Sequence, residues 1–397
     1  VYQPARHEPL IEAEWNQEPA RAAIDWIVSD THERFDPQTL WPIHPLDKFS
    51  DNRSPPCRML YFGAAGVIWA LSYLNRVGAT EVTHDYTTTL AELAPENRAD
   101  LNLSEPNSFS YLMGNVGIQL VQWQIDPSAE LADAIYQAVE RNSENPAREF
   151  MWGAPGTMLA ALFMYEFTQE QRWKELYARN AAHILREMVK VSGLDCYTWA
   201  QDLYGQTSFY LGAVHGFAAN VFSIIKGREL LDPETVALVA SLAANTVAKT
   251  ATVEGDYANW PPDVRGGNLL VQHCHGAPGM INCLADLPTG GNDILENLLI
   301  KGGELIWKAG PLVKGSNLCH GSAGNGYAFL KLYRRTSDAK WLERARAFAM
   351  HAIAQWEIHT KRYGQMRYSL WTGDLGLAVY LWDCIGGEAK FPTMDVF

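Results

Sequence analysis

The chain has 397 residues, 47% hydrophobic and 19% charged, which is enough for a large buried core and too apolar for extensive disorder. A formal net charge of −13 argues against nucleic acid as the main partner, because phosphate binding needs a cationic surface. No run approaches the roughly 18 consecutive apolar residues of a membrane span, so no transmembrane segment is expected. The opening residues lack an apolar signal core, and the six cysteines (57, 196, 274, 283, 319, 384) are scattered along the chain. That usage fits a reducing compartment, and a cytoplasmic location is the expectation.

In chain order, residues 19–28 read as a helix, and residues 35–56, rich in Pro, as an ordered loop. The element Gly63-Ala64-Ala65-Gly66 follows, and helically spaced Val67, Ile68, Leu71 and Leu74 come after it. Residues 95–107 read as a second loop. The Gly-x-x-Gly element then recurs at Gly114-Asn115-Val116-Gly117 and at Gly153-Ala154-Pro155-Gly156. A degenerate copy stands at His215-Gly216-Phe217-Ala218-Ala219, and further copies start at Gly276, Gly321 and Gly373, making seven. Between them lie amphipathic stretches such as 170–191 and 337–358, charged on one face. Sustained strand-like alternation is absent. Seven helical hairpins closed into a ring, an all-α α/α toroid, account for this repeat, with inner helices starting at the glycine turns. All seven turns then face one end of the ring. Residues 1–397 are expected to form a single domain, with 1–56 as an N-terminal helix and ordered loop packing on it.

Two turns carry chemistry. Cys274-His275-Gly276-Ala277-Pro278-Gly279 and Leu318-Cys319-His320-Gly321-Ser322-Ala323-Gly324 each place a thiol and an imidazole before the glycines. From the chain's own composition, one Cys-His-Gly should occur by chance in about one per cent of such chains, so two are signal. Thiolates and imidazole are zinc's preferred ligands, and three protein ligands leave a fourth position open. Cys274, Cys319 and His320 therefore read as a catalytic zinc site. His275, equivalent to His320, is either an acid–base group or a hydrogen-bonding neighbour of the metal. Core packing is the better reading for Cys57, Cys196, Cys283 and Cys384. Arg265 and Lys314 precede the two zinc cysteines as candidate anchors for a substrate carboxylate or phosphate, Lys314 the stronger, with a surface charge the better reading for Arg265.

The strings Leu270-Val271-Gln272-His273-Cys274-His275-Gly276-Ala277-Pro278-Gly279 and Lys314-Gly315-Ser316-Asn317-Leu318-Cys319-His320-Gly321-Ser322-Ala323-Gly324-Asn325 resemble the lanthionine synthetase C-like family, its eukaryotic-type branch especially. With the seven turns, the resemblance covers about residues 57 to 385. It implies a toroid in which two cysteines and one histidine bind Zn2+. It implies addition of a substrate thiol to the β-carbon of dehydroalanine or dehydrobutyrine, giving a thioether. On this pattern His215 matches the family's acid–base histidine, and Glu149 an acidic position ahead of the third turn. Lys314 matches a substrate-binding lysine by its offset from Cys319. His273 stands where the family commonly has Trp, a wall position facing the substrate.

Glutathione is the thiol the eukaryotic-type resemblance implies, and a dehydroamino-acid-containing peptide or protein is its partner. The alternative is a lanthipeptide cyclase joining a peptide thiol to its own dehydroamino acid. Cyclases of the family more often carry Cys-Tyr-Gly at the first zinc motif, whereas this chain has Cys-His-Gly, and no dehydratase-like segment is expected ahead of the toroid. A third reading is a non-catalytic zinc-containing glutathione- or ligand-binding protein.

Overall fold

Helices of this chain alternate between two concentric rings. A computed structural model describes residues 1–47, 56–288 and 293–397; residues 48–55 of the expected 35–56 loop lie outside the described residues. The outer helices are α1 (Gln17–Glu33), α3 (Thr87–Asp100), α5 (Ala129–Asn142), α7 (Gln171–Arg186), α9 (Pro233–Thr250), α11 (Asp293–Ala309) and α13 (Ala339–Tyr363). The inner ones are α2 (Ala64–Arg76), α4 (Asn115–Ile125), α6 (Ala154–Thr168), α8 (Phe217–Lys226), α10 (Ala277–Leu284), α12 (Ser322–Thr336) and α14 (Asp374–Gly386). Each inner helix touches the next, and α14 touches α2, so the ring is closed. The toroid expected from the repeat is the fold.

Every inner helix has the first glycine of its turn as N-cap. The second glycine sits under backbone that doubles back: a Cβ on Gly66 would fall 2.2 Å from the Leu60 carbonyl oxygen, and one on Gly324 1.8 Å from that of Leu318. No side chain fits there. The residue two places before the first glycine then reaches sideways. Its N–H donates to the equivalent carbonyl of the next turn, as in Tyr61 to Leu112, Leu112 to Met151, Cys274 to Cys319, Cys319 to Trp371 and Trp371 to Tyr61. These bonds stitch the turns into a belt that opens on either side of the fourth turn, where Val214 holds the equivalent place.

Three features depart from the sequence reading or add to it. First, α1 packs along α14 and α13, taking the outer place in the seventh hairpin. Its partner lies at the far end of the chain, so no local pattern announces the pair. Second, residues 95–100 are helical, the end of α3, with Pro95 inside the helix. Long-range contacts override the proline: Arg58 pairs with Glu96 and Asp100, and the Asn97 amide donates to the Met113 carbonyl at 3.1 Å. Third, the bore of the ring is filled by the chain's last described stretch, 389–397. There Phe391, Met394 and Phe397 are buried. Phe397 meets Trp69, Tyr111 and Phe163, and Phe391 meets His273, Tyr327 and Trp371. The hydroxyl of Tyr111 donates to the Thr393 carbonyl at 2.7 Å. Fully buried Lys331 holds the same stretch, 2.7 Å from Asp395 and 3.1 Å from Asp286. A lysine so deep is stable only because both acids pair with it.

Short two-stranded hairpins decorate the connections to the fourth and fifth turns. They are β1 (Val189–Val191) with β2 (Cys196–Thr198), β3 (Gln201–Leu203) with β4 (Gln206–Ser208), and β5 (Thr252–Glu254) with β6 (Tyr257–Asn259). Among the described residues no helix is long and apolar enough to cross a membrane.

Candidate metal centre and acid–base pair

Adjacent turns at the head of α10 and α12 bring Cys274, Cys319 and His320 together, with their candidate ligand atoms all within 4.8 Å of one another. The belt bond from the Cys274 N–H to the Cys319 carbonyl, 3.3 Å, sets their spacing. At the first of these turns Gly276 has φ +110°, a conformation reserved for glycine. The turn is held by Asn259, whose side-chain oxygen accepts from Ala277 N at 2.8 Å and whose amide donates to the Leu270 carbonyl at 3.1 Å. At the second, the Asn317 side chain accepts from His320 N at 2.8 Å.

Two groups missed in the sequence donate to the sulfurs. Tyr61 Oη is 2.9 Å from Cys319 Sγ, and Gln272 Nε2 is 2.8 Å from Cys274 Sγ. Tyr61 was legible in principle, since it holds the belt position of the first turn. Gln272 in turn accepts from Arg6 Nη2 at 3.3 Å; the N-terminal strap carrying Arg6 bridges to the stretch just before Lys314. Cys274 is held well below the usual thiol range by a hydrogen bond from Cys319 and by nearby His320, which outweigh burial. Two soft thiols, one of them already inclined to ionise, an imidazole and hydrogen-bond donors aimed at both sulfurs fit a thiophilic divalent ion such as zinc.

Beside this cluster, across the opening in the belt, lies an acid–base pair. Glu149 is fully buried, and its Oε2 is 3.0 Å from His215 Nδ1. The carboxylate also accepts from Met151 N at 2.9 Å and Trp152 N at 2.7 Å. The Met151 N–H, which elsewhere in the belt would reach the next turn, is thus satisfied by Glu149. Burial disfavours the His215 cation, but the hydrogen bond and charge of Glu149 outweigh it, so the imidazole's pKa lies above its ordinary value. With Nδ1 engaged, Nε2 is the nitrogen left to exchange a proton.

The remaining candidates fall in different places. His275 occupies the same turn position as His215 and His320; burial depresses its pKa, and its buried Nδ1 has no hydrogen-bond partner. Tyr210 lies between the two, its ring centroid 6.3 Å from that of His215 and 5.8 Å from that of His275. His273 is completely buried in the bore, stacked 4.4 Å from Phe391 and bonded to Asn282 at 3.0 Å, with burial driving its pKa down to about 3. Lys314 is exposed, on a cleft it shares with His44, Asn317, His359, Arg367 and Thr372. Arg265 is exposed too, but its guanidinium is bound to Asp263 by two contacts of 2.7 Å.

The chain is 31% identical over 264 residues to a Danio rerio protein named glutathione S-transferase LANCL1, a match covering 62% of each chain. It is 39% identical over 135 residues to LanC-like protein GCL1 of Arabidopsis thaliana, covering 32% of this chain and 30% of that one. The aligned parts thus span less than two thirds of either relative. Among solved structures, nisin cyclase superposes with a TM-score of 0.60 at 14% identity, covering 93% of this chain and 94% of that one, a likeness of fold alone. The family described as lanthionine synthetase C-like protein matches residues 57–396, which takes in all seven turns and all but the last residue of the stretch that fills the bore. The chain belongs to that family.

Proposed function

We propose that the protein adds a thiol, glutathione first among candidates, to a dehydroalanine or dehydrobutyrine residue of a peptide or protein, forming a C–S bond. The observation that carries this reading is the juxtaposition of two roles: a Cys274–Cys319–His320 cluster suited to zinc and, next to it, a His215–Glu149 pair suited to proton transfer. A zinc ion held by the cluster would supply the Lewis acidity that keeps a substrate thiol ionised near neutral pH. The sulfur's electron pair forms the new bond to the β-carbon, and the displaced π pair passes to the carbonyl as an enolate. His215, charged and oriented by Glu149, then protonates the α-carbon. Arg6 and Lys314, both near the cluster's turns, offer cations for the thiol's carboxylates. The name of the zebrafish relative supports an intermolecular thiol; the likeness to nisin cyclase is one of fold and leaves ring closure within a peptide as the second outcome.

The test is mass spectrometry of a dehydroalanine peptide incubated with glutathione and the zinc-loaded protein. A glutathione-sized mass gain, lost on chelation and in Cys319→Ala, is expected. Absence of any gain would remove the intermolecular reading and leave the cyclase and the non-catalytic binder.

A further inference from the structure

The β3–β4 hairpin stands over the acid–base pair. Its root is fixed: Gln201 and Leu203 are buried, Asp202 N donates to the Pro146 carbonyl at 2.9 Å, and Gln201 Oε1 accepts from Tyr210 N at 2.8 Å. Register leaves a two-residue tip, Tyr204-Gly205, with φ of +53° and +79°. Two positive φ values in a two-residue hairpin loop favour Asn-Gly or Gly-Gly, and a bulky residue in the first place costs backbone energy. The neighbouring β5–β6 tip, Gly255-Asp256, has glycine at its positive φ of +59°. Here the first place holds Tyr204, which at 71% is the most exposed large hydrophobic side chain among the described residues. Turn chemistry and solvation both argue against a tyrosine, so its place calls for another explanation.

Its contacts supply one. Trp152 Nε1 donates to Tyr204 Oη at 3.2 Å, and the Tyr204 ring stands edge-on to the His215 imidazole with centroids 6.1 Å apart. Trp152 and His215 hold the same place in consecutive turns, so Tyr204 roofs the step between them, directly over the group that handles the proton. The cations Arg6 and Lys314 belong to the strap and loop around the fifth and sixth turns. The two halves of the mouth therefore differ in chemistry: free cations on the thiol side, and over His215 an aromatic roof whose one nearby guanidinium, that of Arg265 on the Thr207 carbonyl, is neutralised by Asp263.

We infer that Tyr204 is the substrate-binding residue for the electrophile: its ring packs on the dehydroamino-acid-bearing peptide over His215, held in place by Trp152, and takes no part in binding the thiol. The inference rests on the proposed reaction for the identity of the two substrates, and it assigns them opposite sides of one mouth. Since Asn-Gly is the preferred pair for this tip, Tyr204→Asn removes the ring while relieving the backbone.

The experiment is equilibrium binding to the zinc-loaded full chain, with a short fluorescent dehydroalanine peptide and, separately, glutathione, for the parent, Tyr204→Asn and Tyr204→Phe. Tyr204→Asn should melt no lower than the parent and weaken the peptide about tenfold, the affinity of one well-placed aromatic contact, with the glutathione Kd within about twofold. Tyr204→Phe, keeping the ring but losing the bond from Trp152, should weaken the peptide about threefold. An unchanged peptide Kd in Tyr204→Asn, an equal loss for both ligands, or no peptide binding by the parent overturns the inference. Tyr204-dependent peptide binding by a parent that performs no thiol addition would instead overturn the proposed reaction and leave the peptide site standing.

Discussion

The seven turns divide into two groups built on one backbone. In the seventh, first, second and third, the two residues before the glycine are Trp371-Thr372, Tyr61-Phe62, Leu112-Met113 and Met151-Trp152, and the large side chains among them pack against the ring or its filling. In the fourth, fifth and sixth they are Val214-His215, Cys274-His275 and Cys319-His320. The glycine caps are common to both groups, and belt bonds join Cys319 to Trp371 across the boundary between them. The candidate site thus differs from the packing turns by an exchange of side chains on a shared frame. The frame departs from its rule only at the fourth turn, and there Glu149 takes over the hydrogen bonding that the belt gives up.

The sharpest break of this division is at Glu149, which serves the frame through Met151 and Trp152 and the chemistry through His215. Glu149→Gln keeps the size and one acceptor but loses the charge. Thiol addition should fall about 10²–10⁴-fold, the scale of a lost general acid. The sign of the accompanying pH effect is fixed by the His215 shift. Glu149 raises the imidazole's pKa and protonation is needed for the acid step, so activity is lost as pH rises through that pKa. In the variant the alkaline limb of the rate profile should move to lower pH; a limb that stays put would assign it to another group.

On the packing side, Trp371 is fully buried, donates Nε1 to Thr393 Oγ1 at 3.1 Å and lies against Tyr61 and Phe391. Trp371→Ala should cost about 3–5 kcal/mol in denaturant unfolding, with metal stoichiometry of the folded protein unchanged. Loss of the metal at full folding would show that the two groups of turns are not separable. Tyr61 crosses the line, a packing residue whose hydroxyl reaches Cys319. Tyr61→Phe should weaken zinc about tenfold in a chelator competition and leave the melting temperature of the metal-free protein within a few degrees.

Much of this was legible in the sequence because it is repeated. A glycine that must admit a carbonyl at about 2 Å cannot drift, so the turns stand out and the inner helices follow. The duplicated Cys-His-Gly likewise marked the residues that cluster. What stayed hidden depends on contacts between distant parts of the chain. Nothing around residues 389–397 announces a filling for the bore, since Phe391, Met394 and Phe397 are apolar at irregular spacing and are positioned by the ring around them. Pro95 signalled a loop because the acids that hold its helix to Arg58 act across more than thirty positions. Tyr204 carried no signal either, because its unusual backbone shows only once the register of the hairpin is known.

The closure of the ring by α1 has a consequence for how the molecule is made. During synthesis α1 emerges with its partner α14 still about 340 residues from being translated. At roughly 5–20 residues per second the wait is on the order of half a minute. Throughout it the apolar face of α1, with Ile24, Ile27 and Val28, lacks the α14 surface against which it mainly packs. The nascent chain must therefore carry a greasy helix until the last inner helix arrives, and that interval is where a chaperone has most to do.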